Sequence, residues 1–518
     1  MKRVILVLTF AFTLALSAPS LCAIGGVPLW TNIYTEPDNG FDIPTTMAVD
    51  GSGTVFVSGT SARPNSAEDD IATVAYSNLG QLQWTNRITG PGGAANQAKG
   101  MVVDANGRVI LTGSLFGGLG YVWITLAYSS NGDLLWTNQY GSWISAQYDF
   151  PHAIACDTNS NVFVTGEGFK GTEGTLAVTV KYSSTGQPLW TNAFGEYTGG
   201  IAQANGVAVD QTSGNAIIVG KILRVSNDFQ YFTIAYSNAG LPLWTNFYSN
   251  ELGDDNIAVA VACDPVGNIF VTGYSEKTNT PNDSNFDYAT IAYSKTGQAL
   301  WTNRFDGPAS GNDQPRALVV GPSGNVYVTG SSAGIGSDED YATVACSNSG
   351  VPLWTNRYNG PGNYYDVAYA IAVDKSDNVF VTGSSAAAFA SDFATLAYTS
   401  AGVPLWTNRY GGAGNSYDDA YAIAVDGAGN VFIAGEAMQG LATATDFVTI
   451  KYSSSIPSPA YLNYQKVNDK LRLTWTNAGF SLQSAPTCTG TFTNLPGATS
   501  PFTNPITGAQ QFFRLISN

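Results

Sequence analysis

An all-β fold built from eight repeated units is predicted by three observations. The string Trp-Thr-Asn recurs with its tryptophan at Trp30, Trp84, Trp136, Trp190, Trp244, Trp301, Trp354 and Trp406, at intervals of 52 to 57 residues. A second string, in its fullest form Ala-(Ile/Val)-Ala-(Val/Cys)-Asp-x-x-Gly-Asn-(Val/Ile)-(Phe/Tyr)-Val-Thr-Gly, ends at Gly59, Gly113, Gly166, Gly220, Gly273, Gly330, Gly383 and Gly435. A third has its best copies at Asp287–Ser294, Asp340–Ser347 and Asp392–Thr399. Self-similarity at this period, with four short strands per unit and no helical periodicity, is the signature of a β-propeller blade.

The elements follow in chain order. Met1-Lys2-Arg3 and the apolar run Val4 to Leu16, followed by small residues, read as a signal peptide over 1–23. The run is too short for a membrane span, which needs ~20 apolar residues. Export is therefore expected, to the periplasm, the cell surface or the medium. Within the seventh unit, Tyr369–Asp374, Asn378–Thr382, Phe393–Thr399 and Pro404–Tyr410 are expected as strands A, B, C and D, since β-branched and aromatic residues alternate between turn residues. Asp-x-x-Gly-Asn joins A to B and Ser-x-x-Gly joins C to D, supplying local acceptors and positive φ. The eighth unit, Ala422 to Ser453, has no strand D. The strand Pro28–Tyr34, which precedes any strand A, is expected to complete it and close an eight-bladed ring over 24–455. After Ile456-Pro457-Ser458-Pro459 the pattern changes, and 456–518 reads as a small β-sandwich-like module near the size limit for a stable core.

Composition narrows the function. The 518 residues carry a net charge of −16 and only 12% charged residues. That balance argues against nucleic acid, which needs a basic footprint. A single histidine, His152, leaves no material for a His-rich metal site. Cys156, Cys263, Cys346 and Cys488 lie far apart and read as small buried hydrophobes.

The strings Gly-Asn-Val-Tyr-Val-Thr-Gly at 324–330 and Asp-Phe-Ala-Thr-Leu-Ala-Tyr at 392–398 resemble the SBBP β-propeller repeats of exported bacterial proteins; the copy at 429–435 departs with Ile433-Ala434. That family is usually seven-bladed, whereas eight units are counted here, and the resemblance implies no reaction. Ala-Tyr-Ser-x-x-Gly-x-x-x-Trp, as at Ala75–Trp84, is similar to the tryptophan-docking repeat of quinoprotein dehydrogenases. Those enzymes need a quinone-stacking Trp, a calcium site and usually a vicinal cysteine pair, and this chain has no Cys-Cys. Each repeat Trp is instead expected to lock one outer strand against the next blade.

Two sets of candidate site residues remain. Carboxylates and amides recur before strand A (Asp42, Asn96, Asp149, Asn256, Asp313, Asp366, Asp418) and before strand C (Asp70, Asp287, Asp340, Asp392, Asp446). They could hold Ca²⁺, but one Asp per blade is expected to pin a loop through backbone N–H groups. Residues that break the repeat are more informative. Trp123 and Trp143 lie outside the Trp-Thr-Asn frame, and Trp143, Tyr148, Asp149 and His152 are the expected ligand contacts, with the aromatics stacking on sugar. The expected function is a non-enzymatic, monomeric binding scaffold for polysaccharide or an envelope protein, without a cofactor. The alternative is a propeller enzyme, either a carbohydrate lyase or hydrolase using loop carboxylates such as Glu68 and Asp69 or Asp338 and Glu339, or a calcium-dependent quinoprotein.

Overall fold

The computed structural model describes residues 26–35, 40–63, 68–91, 96–141, 148–195, 199–224, 228–249, 255–276, 285–387, 390–412, 416–438 and 444–453. It also describes 462–468, 470–475, 480–486, 492–495, 497–505 and 512–517. The signal-peptide segment, Trp143 and Cys488 lie outside these residues. Among the described residues the regular structure is β apart from one 3₁₀ turn, Gly171–Glu173. No helix there is long and apolar enough to cross a membrane.

The chain divides into two compact units, Pro28–Tyr452 and a second formed by 1–27 with 453–518. In the first, each repeat makes four antiparallel strands in the order A-B-C-D. The seventh repeat forms Asp366–Val373, Val379–Ala387, Ala390–Tyr398 and Pro404–Tyr410. Strand D falls where the sequence places it. The other three extend further toward the D→A and B→C connections. Ser384, Ser385 and Ser391 continue the ladder there, because backbone pairing does not require apolar side chains.

Six sheets have four strands. The third and fourth repeats share one eight-stranded sheet through a short parallel contact, Gly174 opposite Gly200 and Thr175 opposite Ile201. That contact occurs in the one repeat where Ala202 replaces the polar residue before strand A, so backbone pairing supplies what the side chain does not. In the eighth repeat, Pro28–Tyr34 is the outermost strand, antiparallel to Thr445–Tyr452, with Trp30 opposite Lys451 and Tyr34 opposite Phe447.

The core lies between successive sheets. Strands B and C are buried almost throughout, and each apolar cluster joins one sheet to the next. One unites Phe56 and Ile71 of the first repeat with Leu111 and Leu126 of the second. Another unites Phe432 and Phe447 of the eighth repeat with Met47, Val57 and Val74 of the first. The Val-Thr-Gly ending has a steric cause. Strand A carries a β-bulge opposite it, which presses backbone so close that a Cβ on Gly59 would lie 2.0 Å from the Ile43 carbonyl oxygen.

In the second unit, Asn463–Val467, Lys470–Thr474 and Phe502–Pro505 form one three-stranded sheet, and Thr493–Asn494, Phe480–Ala485 and Phe512–Ser517 another. Leu471, Leu473 and Trp475 share a core with Leu482 and Phe513, so the two sheets face each other.

Candidate functional site

The repeated residues are used to lock the sheets together. Trp84 donates its indole N–H to the Ser130 carbonyl at 2.9 Å, and Asn86 donates its amide to the Gly132 carbonyl at 2.7 Å, both in the C–D hairpin of the next repeat. Trp301 with Asn303 and Trp354 with Asn356 do the same. The indole lies flat on the hairpin glycine, and Gly350 combines a φ of 82° with a would-be Cβ only 2.6 Å from Trp301. Trp136 makes no such bond among the described residues, and the corresponding carbonyl, that of Ser184, accepts from Arg108.

Of the carboxylates before strand C, all but Asp446, where Ile33 takes the corresponding place, are held by arginines that the sequence reading passed over. Arg304, Arg357 and Arg409 donate to Asp287, Asp340 and Asp392 at 2.8–2.9 Å, and Arg87 reaches Asp70 at 3.2 Å. Each arginine stands immediately after Trp-Thr-Asn and seventeen residues after its carboxylate. The three repeats with no acid at that place (Val122, Leu176, Gln230) have no arginine either. This co-occurrence was a readable signal.

The acids and amides before strand A are buried loop acceptors. Asp149 is 2% exposed, accepts the Phe169 N–H at 2.8 Å, and has its pKa raised by burial against that hydrogen bond. Asn96 accepts the Phe116 N–H at 3.0 Å, and Asp418 accepts those of Gly412 and Met438. Asp149 therefore shapes the connection instead of facing solvent, a correction to its expected role as a ligand contact. Trp123, the other tryptophan singled out, is fully buried, meets the Tyr140 ring in a tilted pair with centroids 4.8 Å apart and donates to the Glu167 carbonyl.

Tyr148 is 53% exposed. It shares its position, one residue before the loop acceptor, with Phe41, Tyr365 and Tyr417, all exposed. Tyr148 was named from the sequence, but Phe41, Tyr365 and Tyr417 were missed because they sit next to a repeated residue without themselves repeating in every unit.

His152 lies elsewhere, on a bulge. Strand A of every repeat skips one residue at the same place, and the skipped residues are Thr45, Lys99, His152, Asn205, Val259, Arg316, Tyr369 and Tyr421. The His152 Nε2 lies 3.1 Å from the Gln203 amide nitrogen and 3.7 Å from the Glu167 carboxylate. At the opposite ends of the A strands, Val209, Cys263, Val320, Val373 and Val425 from five repeats line one cavity of about 530 Å³. Burial pushes the Cys263 thiol up to about 12, as expected of a small hydrophobe.

Among the described residues, one group of carboxylates could offer oxygens to a metal: Asp287, Asp306 and Asp313 each place an oxygen within 4.8 Å of the others. Arg304 already occupies Asp287, and the Gly307 N–H donates to Asp313 at 2.5 Å. A guanidinium beside the cluster opposes a divalent cation, so this donor set fits Ca²⁺ poorly.

Comparison with solved structures places this architecture among propellers. Sqt1 from Chaetomium thermophilum, crystallised bound to the N-terminus of the ribosomal protein L10, is 10% identical with a TM-score of 0.50, covering 80% of this chain and 98% of that one. A second Sqt1 structure from the same organism gives 10% identity and a TM-score of 0.51, covering 81% and 98%. At this identity the likeness concerns the fold alone. No curated protein matches the sequence. The SBBP β-propeller repeat model matches at two places, residues 135–168 and 405–437, each running from the start of one unit's Trp-Thr-Asn strand through strand B of the next, so the chain carries SBBP β-propeller repeats.

Proposed function

We propose that this chain is an exported, non-enzymatic scaffold: an eight-bladed ring, closed by Pro28–Tyr34, that holds a neutral polysaccharide or an envelope component on the face bearing the D→A and B→C connections. The observation that carries the reading is the set of exposed aromatics on that face. Phe41, Tyr148, Tyr365 and Tyr417 keep large rings in solvent where a globular protein has no packing reason to do so. Three of them fall in successive repeats, the seventh, eighth and first. Rings presented this way suit the apolar faces of sugars, and the net charge of −16 disfavours polyanions. Trp143, five residues before Tyr148 in the sequence and outside the described residues, is the remaining aromatic candidate.

Closure is supported by Trp30 and Asn32, which donate to the Asn78 and Gly80 carbonyls of the first repeat as the other Trp-Thr-Asn strings do to their neighbours. Export rests on residues 1–23 alone. That Sqt1 binds a protein segment fits a partner-holding role for such a fold.

The test is retention on insoluble cellulose and chitin. Stacking at a shallow surface corresponds to a Kd of about μM to mM. Tyr148→Ala combined with Tyr417→Ala, and separately Trp143→Ala, should each lower retention at least about tenfold, the loss of ~1.4 kcal/mol of stacking, with the melting temperature nearly unchanged. Undiminished retention, or none by the unaltered protein on either polymer, would refute the glycan reading.

A further inference from the structure

We propose that the bulge positions of the sixth to eighth repeats form a binding site for a short zwitterionic peptide with free ends, its ammonium held by Asp419 and Glu436, its backbone lying over Tyr369 and Tyr421, and its carboxylate held by Arg316. The site is independent of the glycan surface proposed above.

The bulges make the site possible. A β-bulge re-aims the skipped side chain, and such bulges gather where a sheet presents functional groups. Arg316, Tyr369 and Tyr421 occupy the same bulge in three consecutive repeats. Adjacent A strands here come within 8 Å between Cα atoms, so the three residues form a continuous stripe. Arg316 is exposed, while Tyr369 and Tyr421 are half-buried.

The two rings are centred 5.6 Å apart and tilted by 44°, leaving faces available to a ligand. Tyr421 is fixed in place, since its hydroxyl donates to Glu436 at 2.6 Å. Glu436 also accepts from Thr445 at 2.6 Å, and Asp419 accepts from Ser391 at 2.9 Å. Each carboxylate is thus positioned by hydroxyls, and among the described residues neither forms an ion pair.

Negative charge is therefore left uncompensated at one end of the stripe. Burial together with Asp419 and Asp418 raises the pKa of Glu436, the strain that a bound cation would relieve. An ammonium over tyrosine faces beside a carboxylate gains both cation–π and charge-assisted terms. At the other end, Arg316 has only the Gln314 side-chain oxygen, at 3.4 Å, as a hydrogen-bond partner among the described residues. A free guanidinium fork matches a carboxylate. Two strand spacings separate these ends, and a chain extending ~3.3 Å per residue bridges them with about three or four residues.

The test is titration calorimetry of the full chain with unblocked tetra-alanine, its N-acetyl derivative and its C-terminal amide. The unblocked peptide should bind with a Kd of about mM or better, and each blocked form at least about tenfold more weakly. Arg316→Gln should abolish the preference for the free acid over the amide while keeping that for the free amine. Glu436→Gln should do the reverse, and Asp419→Asn provides the same test should Glu436→Gln fail to fold. Equal binding of all three peptides, or no heat from the unblocked one up to about 10 mM, overturns the site. Undiminished binding of the amide shows an organic-cation site only and overturns the zwitterion assignment. Polysaccharide retention reports separately on the other surface.

Discussion

Asp149 shows how a repeated charge can be structural. Its carboxylate is buried, accepts one backbone N–H, and has its pKa raised above the ordinary carboxylate value, mainly by burial. A carboxyl whose folded pKa exceeds its unfolded one binds more protons in the native state, so its contribution to stability is present at low pH and is lost as pH rises through the folded value. The second and fifth repeats carry Asn96 and Asn256 at this place, amides without that penalty. Asp149→Asn should therefore melt at the same or a higher temperature than the unaltered protein at pH 7, and this advantage should vanish as pH falls through the Asp149 pKa. Asp149→Ala, which orphans the Phe169 N–H, should cost about 1–3 kcal/mol at either pH. Melting curves at pH 4 and pH 7 check both, and a loss of stability in Asp149→Asn at pH 7 would mean that the charge itself is needed. The repetition was legible at this position because every unit spells it. What stood beside it was harder to read: Tyr148 and its counterparts occupy half the units, and no periodicity marks a residue whose job is to remain in solvent.

At the scale of the element, the N-terminal strand is the most informative. Its Trp-Thr-Asn string has no strand A before it, and that displacement alone told where it must pair. The structure sets it beside Thr445–Tyr452, with Trp30 and Asn32 clamping the first repeat. Lys451 adds a bond from strand C to the Asn78 carbonyl at 3.0 Å, and Lys181 makes the same bond to Asn238. These two lysines replace the alanine found at this strand-C position in the other repeats, and alternation gave no hint that a buried cation was useful there. The bulges were equally hidden, since an extra residue inside a strand looks like a lapse in pattern. Deleting residues 26–34 removes the clamps and leaves the ladder of Thr445–Tyr452 unpaired, an edge that invites association. The deleted protein should elute as aggregate in size-exclusion chromatography, whereas a monodisperse species with an unchanged melting temperature would show that this strand adds nothing to the fold.

For the whole molecule, the meeting of Gly26 and Val27 with Ser453 repeats a hairpin with its tip missing. Ser453 donates to the Val27 carbonyl at 3.0 Å, and Gly26 donates to the Ser453 carbonyl at 3.1 Å. In the first repeat, Ser77 donates to Gln81 and Gly80 donates to Ser77, both at 2.8 Å, in the same relation. Gly26 also has the φ of Gly80, 72° against 78°. Only the two residues between serine and glycine are lacking, so the eighth repeat differs from its neighbours in connectivity and not in geometry. A circular permutant should fold if Ser453 is joined to Gly26 through Asn-Ala, as in Ser237–Gly240, and the chain is opened between Asn348 and Ser349. Both new ends would lie in an exposed turn, where breaks are best tolerated. The joined hairpin also offers a carbonyl to Trp406, whose indole N–H is buried without a partner among the described residues. Its melting temperature should equal or exceed that of the protein with native ends and the same residues removed, measured by calorimetry at matched pH. Aggregation of the permutant, with the native-ended protein soluble, would mean that the eight units are not interchangeable and that folding depends on where synthesis begins.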